Sequence, residues 1–272
     1  MTSLAPSPRV HCRADGAFAA GRACRVAVPG GELVVEVAGT GPAVLLWHGW
    51  TLDRRQWRGQ APLTHRFTLV AVDRRGFGES TAPADLAEEP ADVARVAAAL
   101  GLARYSLVGL SQGGKVALAH AAHRPAGLER VVAIGAPIDA ELPVPPETVP
   151  AAEMAMLARA GKLAEMRQLW LAHPLTAGRP EVRAAMAAML ARYDGRDLAA
   201  PGRALTVTLD DVRRISVPAT ALAGEDDTPW RRAVVDALGQ AGLATGLIRG
   251  GGHLAPLDAA AETNRAITAA LA

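Results

Sequence analysis

Short apolar segments alternate with longer segments of helical periodicity along most of this chain, and this alternation limits the folds that it can adopt. Eight segments have the length and apolar character of strands: 25–28, 33–37, 44–47, 68–72, 105–108, 130–134, 219–223 and 244–248. Helical patterns lie among them at 91–100, 112–123, 230–241 and 259–271. Repeated strand–helix alternation is typical of a mostly parallel sheet with helices on both faces. We therefore predict an α/β fold with an eight-stranded sheet.

Residues 138–212 interrupt the alternation. Prolines crowd the beginning of this segment, at Pro143, Pro145, Pro146 and Pro150. Two or three helical patterns follow, near 151–160, 163–172 and 181–193. We predict a helical cap inserted after the sixth strand; a pair of crossover helices with no role in binding is the alternative. Residues 25–137 and 213–272 would form the core, and 1–24, which lack periodicity, a loosely attached arm.

The composition argues against several classes of function. The 272 residues include 29 Lys and Arg against 27 Asp and Glu, a net charge of +2 without a long basic run. We therefore expect no binding to nucleic acid or to membranes, and a small molecule as the partner. No stretch reaches the roughly 20 apolar residues that a membrane helix requires. Whether the chain forms a homo-oligomer stays open.

The sequence also gives expectations about compartment and cofactors. No charged stretch followed by an apolar run opens the chain, so we expect no signal peptide and a cytoplasmic location. Cys12 and Cys24 are expected to be free thiols, with a disulfide between them as the alternative. Because neither a metal-ligand cluster nor a phosphate-binding loop is evident, we expect no cofactor and no metal.

The strongest local signal is the G-x-S-x-G sequence at 109–113. An apolar run leads into it and a helical pattern leaves it, which predicts a sharp strand-to-helix turn. A serine on such a turn has a strained backbone, and its neighbours two positions away must be small. The turn exposes the hydroxyl near a helix N-terminus, where positive potential favours a developing negative charge. We predict that Ser111 is a nucleophile rather than part of an ordinary turn.

A serine is a weak nucleophile without a base, and His253 is the candidate. It follows the last strand pattern in a glycine-rich loop, 250–254, which would let the imidazole reach back over the sheet. We assign His11 and His65 to loops, and we expect surface or packing roles for His120 and His123. His173 lies in the expected cap.

The acid that orients the histidine should follow the strand at 219–223. The chain there reads Gly-Glu-Asp-Asp-Thr-Pro at 224–229. Asp227 is the candidate, because a carboxylate here would hold the histidine tautomer and stabilise the imidazolium; Asp226 is the alternative. An acidic surface turn would be the simplest other interpretation. The order Ser111, Asp227, His253 differs from that of other serine triads.

Two backbone amides are candidates for an oxyanion hole. One is the N–H of Gln112, and the other is the N–H of Trp50, where Gly49 permits an unusual backbone path. His48 is interpreted as a structural hydrogen-bonding residue, and residues 73–80 as a tight structural loop near the site. Trp50 is also the tryptophan that we expect in the wall of the pocket.

Together these motifs resemble the α/β-hydrolase superfamily, in the lid-bearing form with an H-G-x oxyanion loop. His48-Gly49-Trp50, the D-x-x-G-x-G-x-S pattern at 73–80, 109–113, the G-x-x-D pattern at 224–227 and Gly252-His253 occur in the family's order over about residues 25–272. Serine at 111 differs from the aspartate nucleophile of haloalkane dehalogenases and epoxide hydrolases. The H-G-G-G and H-G-x-G-P-G loops of two other branches are missing. Small carboxylesterases, enol-lactonases and cofactor-free haloperoxidase-like esterases remain.

Three functions are therefore open. The first is hydrolysis of a small carboxylic ester, lactone or thioester through an acyl-enzyme. The second is carbon–carbon bond hydrolysis, a lyase step or a cyclisation on the same triad in a biosynthetic pathway. The third is a non-catalytic binding protein, which the presence of all three triad candidates disfavours.

Overall fold

The computed structural model describes residues 10–12, 16–176, 178 and 180–272. Its strands are β1 (Val10–Cys12), β2 (Arg22–Val28), β3 (Gly31–Ala38), β4 (Ala43–Trp47), β5 (Thr68–Val72), β6 (Tyr105–Leu110), β7 (Leu128–Ile134), β8 (Ala219–Gly224) and β9 (Ala244–Ile248). They form one sheet in the order β1-β2-β3-β5-β4-β6-β7-β8-β9. The pairs from β1 to β5 across β2 and β3 are antiparallel, and all others are parallel. The predicted, mostly parallel sheet is confirmed, with nine strands among the described residues instead of eight.

The additional strand lies in the region for which we predicted a loose arm. β1 pairs with β2, and β2 begins at Arg22 rather than at residue 25. Phe18 is buried, and its backbone N–H and that of Ala17 each donate to the Glu36 carboxylate at 2.7 Å. Most of the described residues 16–24 are therefore buried against the rest of the chain. The buried Glu36 carboxylate, almost 20 residues away in the sequence, holds this segment through backbone hydrogen bonds.

Helices cover both faces of the sheet. The helices are a 3-10 helix (Arg54–His65), α1 (Glu89–Ala99), α2 (Gln112–Ala122), α3 (Ala151–Arg159), α4 (Leu163–Leu171), α5 (Pro180–Leu190), α6 (Arg196–Ala199), α7 (Leu209–Arg213), α8 (Pro229–Gln240), α9 (Ala255–Asp258) and α10 (Ala260–Ala270). The 3-10 helix and α10 pack on one face, and α1, α2 and α8 on the other.

Two histidines that we predicted to lie in loops lie in regular structure instead: His65 ends the 3-10 helix and His11 lies in β1. None of the helices in the described ranges is long and apolar enough to span a membrane.

The segment between β7 and β8 divides between two layers. Buried side chains from α3, α4 and α5, such as Met154, Met166 and Met186, join the apolar cluster on the face of the sheet that the 3-10 helix and α10 cover. Val212 of α7 instead packs with Leu118 and Val234 against the opposite face. We therefore use the name cap for α3 to α6, while α7, within the predicted cap range 138–212, belongs to the core layer.

Candidate active site

Ser111 is the single residue between the end of β6 and the start of α2, and its φ angle is 53°. This left-handed conformation is unusual for a residue with a side chain, so the surrounding packing must hold it. A Cβ atom on Gly113 would lie 2.1 Å from the Trp47 carbonyl oxygen, and one on Gly109 would lie 2.2 Å from the Gly113 oxygen. The two glycines are therefore required by the close approach of backbone to backbone, as the sequence predicts.

The three predicted triad residues lie together at the carboxyl ends of β6, β8 and β9. Ser111 Oγ is 3.0 Å from His253 Nε2, and His253 Nδ1 is 3.1 Å from Asp227 Oδ2. A carboxylate can only accept, so Nδ1 carries the proton and Nε2 is left to accept from the hydroxyl. This is the tautomer that a general base acting on serine requires.

Asp226 and Asp227 differ sharply in environment. Asp226 is exposed, whereas the Asp227 side chain is fully buried and its second oxygen accepts from the Thr228 N–H at 2.7 Å. The carboxylate is therefore fixed on both oxygens and points at the imidazole. The structure assigns the contact with His253 to Asp227 and not to Asp226.

Gly135, immediately after β7, is a residue of the site that sequence reasoning missed. Its φ is 54°, and a Cβ there would lie 3.0 Å from His253 Nδ1 and 3.1 Å from Asp227 Oδ2. A side chain at residue 135 would therefore crowd the histidine–aspartate pair, and the positive φ also favours glycine there. A glycine directly after a strand pattern was the available signal.

The backbone around Trp50 is fixed by His48. The ring is fully buried, and burial lowers the pKa of His48 to about 3, so the imidazole is neutral. Its Nδ1 lies 2.7 Å from the Gly49 carbonyl oxygen and donates to it, while Nε2 accepts from the Arg74 N–H at 3.0 Å. In a trans peptide the C=O and N–H point in opposite directions. Holding the Gly49 oxygen therefore also sets the direction of the Trp50 N–H.

The second predicted oxyanion donor, the Gln112 N–H, belongs to the first residue of α2. N–H groups in the first turn of a helix have no acceptor within the helix. The Gln112 side chain accepts from Arg74 at 3.3 Å, and Arg74 is itself paired with buried Glu89 at 2.7 Å. The loop at 73–80 thus braces this end of the site, in keeping with its predicted structural role.

A cavity of about 280 Å³ opens beside Ser111 and His253. Its walls come from the core and the cap and are mostly apolar: Gly49, Trp50, Leu52, Leu110, Pro137, Val149, Ala151, Trp170, Leu175, Met186 and Leu254. Arg231, which the sequence did not single out, also lines it. Its Nη1 donates to the Gly135 oxygen at 3.0 Å and its Nε lies 3.4 Å from Glu147 Oε2, so it connects the segment before α3 to the backbone beside His253. Within the described part of the chain, no group of three acidic, histidine or cysteine side chains is arranged to hold a metal.

The fold and this site agree with the comparison to protein families. The model of the alpha/beta hydrolase family matches residues 44–266, and the chain belongs to that family. An enol-lactonase structure from Burkholderia xenovorans superposes with a TM-score of 0.75 at 23% identity, covering 91% of this chain and 99% of the other. An esterase structure from Thermogutta terrifontis gives 0.73 at 26% identity, with 92% and 97% covered.

Curated relatives match either a short part of this chain or a longer part at lower identity. An uncharacterised protein of Mycobacterium tuberculosis is 35% identical over 113 residues, which are 40% of this chain and 33% of the relative. The chain therefore matches about a third of the length of such relatives. A 2-succinyl-6-hydroxy-2,4-cyclohexadiene-1-carboxylate synthase of Serratia proteamaculans is 28% identical over 227 residues, covering 77% of this chain and 85% of the relative.

Proposed function

We propose that this protein is a serine hydrolase that cleaves a small carboxylic ester, lactone or thioester through an acyl-enzyme. The observation that carries the proposal is the continuous chain of contacts from Ser111 through His253 to Asp227, at 3.0 and 3.1 Å. The same contacts disfavour a non-catalytic binding protein, because binding alone requires neither the strained serine nor the buried histidine–aspartate pair.

The reaction follows from the direction of each donor and acceptor. Ser111 Oγ attacks the carbonyl carbon while its proton passes to His253 Nε2, and Asp227 stabilises the resulting imidazolium. The N–H groups of Trp50 and Gln112 donate to the oxyanion. His253 then gives its proton to the leaving oxygen or sulfur, and the acyl group stays on Ser111.

In the hydrolysis of the acyl-enzyme, water replaces Ser111 as the nucleophile and Ser111 becomes the leaving group. His253 takes a proton from water, the hydroxide attacks the acyl carbon, and the proton returns to Ser111 as the carboxylic acid leaves. The apolar walls and the volume of about 280 Å³ favour a small acyl group of low polarity.

A second candidate is a lyase or carbon–carbon bond reaction on the same triad. It is favoured by one observation, the similarity to the Serratia synthase over most of both chains. In that reading His253 would act as a base on the substrate itself, and no acyl group would be attached to Ser111.

A panel of p-nitrophenyl esters of increasing acyl length, run with wild type and Ser111→Ala, tests the proposal. We expect turnover with an optimum at short to medium chains and its loss in the variant. A wild type that hydrolyses none of the esters, yet reacts with a fluorophosphonate at Ser111, would favour the second candidate.

A further inference from the structure

Two side chains of the cap bind the loop that carries Trp50. The Trp50 indole Nε1 donates to Asp197 Oδ2 of α6 at 2.7 Å. The Trp170 indole Nε1 of α4 donates to Thr51 Oγ1 at 2.8 Å, and the two indole rings meet edge to face at 4.9 Å. The cap therefore contacts both the side chain of Trp50 and the residue that follows it.

The Thr51 backbone needs such support. Its φ angle is 63°, which is rare for any residue with a Cβ and unfavourable for a β-branched one. The Thr51 hydroxyl donates to the Trp50 carbonyl oxygen at 2.6 Å while it accepts from Trp170. One hydroxyl thus joins a strained turn of the core to a cap helix.

Asp197 is itself held in place by hydrogen bonds of its own side chain and of the preceding residue. Its other oxygen accepts from the Tyr193 hydroxyl at 2.7 Å, and the preceding Arg196 donates to the carbonyl oxygens of Gly78 and Ser80 in the core. Burial raises the pKa of the Asp197 carboxyl, and its hydrogen bonds from Trp50 and Tyr193 oppose that rise. The short helix α6 is therefore anchored on the core through Arg196 and Asp197.

We propose that Asp197, with Trp170, is a positioning residue that holds the Trp50 N–H in its oxyanion-binding orientation. His48 fixes the peptide before Trp50, and the cap fixes the side chain and the peptide after it. The oxyanion hole is then complete only while the cap is seated on the core. This inference rests on the proposed function, since it assigns a role in stabilising the oxyanion formed at Ser111.

The test compares Asp197→Ala with Asp197→Asn. Alanine removes both acceptors, and we expect kcat to fall about tenfold, which is less than the loss of an oxyanion donor outright. Asparagine removes the charge but can still accept from Trp50 and donate to the Tyr193 oxygen, so we expect it to restore most of kcat. Trp170→Phe keeps an aromatic ring, though a smaller one, and loses the donor to Thr51, and we expect a fall of about threefold.

Two ketone inhibitors of the same shape separate positioning from general damage. Ser111 Oγ adds to the carbonyl carbon of a trifluoromethyl ketone, and the carbonyl oxygen becomes an oxyanion. The matching methyl ketone binds without this reaction. For Asp197→Ala we expect the trifluoromethyl ketone to bind about tenfold more weakly, with KM and methyl ketone affinity changed less than about twofold. Glu165→Ala, which removes an exposed carboxylate of α4 bonded to Lys162, is the control and should match wild type.

The outcomes are distinct. The positioning role alone is overturned if wild type is active and Asp197→Ala keeps kcat. It is also overturned if the variant raises KM and weakens methyl ketone binding by the same factor by which kcat falls. A wild type without Ser111-dependent turnover, measured before any cap variant, overturns the proposed function and this inference together.

Discussion

Residues from the sheet and residues from the cap meet in one cavity, but they are held there in different ways. Ser111, Asp227 and His253 follow three parallel strands. Close backbone contacts exclude a side chain at Gly109 and Gly113, and at Gly135 a Cβ would press on the His253 and Asp227 side chains. The cap contributes mainly large apolar side chains from short helices, with a few hydrogen bonds to the core.

This difference indicates a division of roles. A backbone that can follow only one path fixes atoms within a fraction of an ångström, as proton transfer requires. Methionine and other apolar side chains fill space adaptably and set its size. We therefore expect core substitutions to change rates by orders of magnitude and cap substitutions to change selectivity or rate by smaller factors.

The largest effect is expected from the acid. Asp227→Asn should lower kcat/KM by about 10³- to 10⁴-fold, because an amide can stabilise the wrong imidazole tautomer and cannot stabilise the imidazolium. Asp226→Asn, one residue away and exposed, should leave kcat/KM unchanged. Steady-state kinetics normalised to folded protein measures both, and equal losses in the two variants would contradict the assignment.

A smaller effect is expected where a glycine makes room for the triad. Gly135→Ala and Gly161→Ala both place a Cβ at positive φ, so each should lower the free energy of unfolding by about 1 kcal/mol. Only the Cβ at 135 meets His253 and Asp227, while that at 161, in the cap, meets nothing within 4 Å. We expect kcat to fall at least about tenfold in Gly135→Ala only. Denaturant titrations paired with kinetics would show it, and a similar kcat loss in both would refute it.

Changes in the cap should alter which ester is preferred. Met186 is buried and lines the cavity, whereas Met189 on the same helix does not line it. Met186→Ala should move the optimum of the p-nitrophenyl ester series towards acyl chains about two carbons longer and raise kcat/KM for them several-fold. Met189→Ala should leave the optimum in place. An unchanged optimum in both would argue that the cap does not border the acyl site.

The smallest effect on activity is expected from His120, which packs α2 against the sheet. Its Nδ1 donates to the Pro90 oxygen at 2.7 Å, its Nε2 lies 2.8 Å from the Tyr105 hydroxyl, and burial lowers its pKa to about 4. Below about pH 6.5 the unfolded chain binds a proton that the folded chain does not, so unfolding becomes easier by about 2 kcal/mol between pH 7 and pH 5.

His120→Gln should remove this part of the pH dependence of unfolding. His123→Gln, on an exposed neighbour at the end of the same helix, should retain it. Chemical unfolding at pH 7, 6 and 5 provides the comparison, and parallel pH curves for wild type and His120→Gln would contradict the assigned protonation state.

The core half of the site was predictable because its constraints are local in sequence. One turn is indicated by Gly109, Ser111 and Gly113 together. Asp227 and His253 each follow a strand that the sequence pattern predicts. The parallel sheet then brings the strand ends together. Sequence alone left Asp226 and Asp227 open, since the difference between them is burial and not residue type.

The remaining features depend on contacts between distant segments. Gly135 is required by side chains about 90 and 120 positions later, and Trp50 is held by Asp197, 147 residues away. The cap helices α3, α4 and α5 were visible in the sequence, but the way Met- and Ala-rich helices pack is not encoded in their periodicity. The strand β1 was missed because three residues give no pattern.

The central claim is that Ser111 carries the acyl group during turnover, and acid-quenched mass spectrometry tests it most directly. The best p-nitrophenyl ester is mixed with enzyme, quenched within the first turnovers and digested. We expect the mass of one acyl group on the peptide that contains Ser111, and none in Ser111→Ala. Turnover with no acylated peptide, or with the acyl group on another residue, would contradict the account.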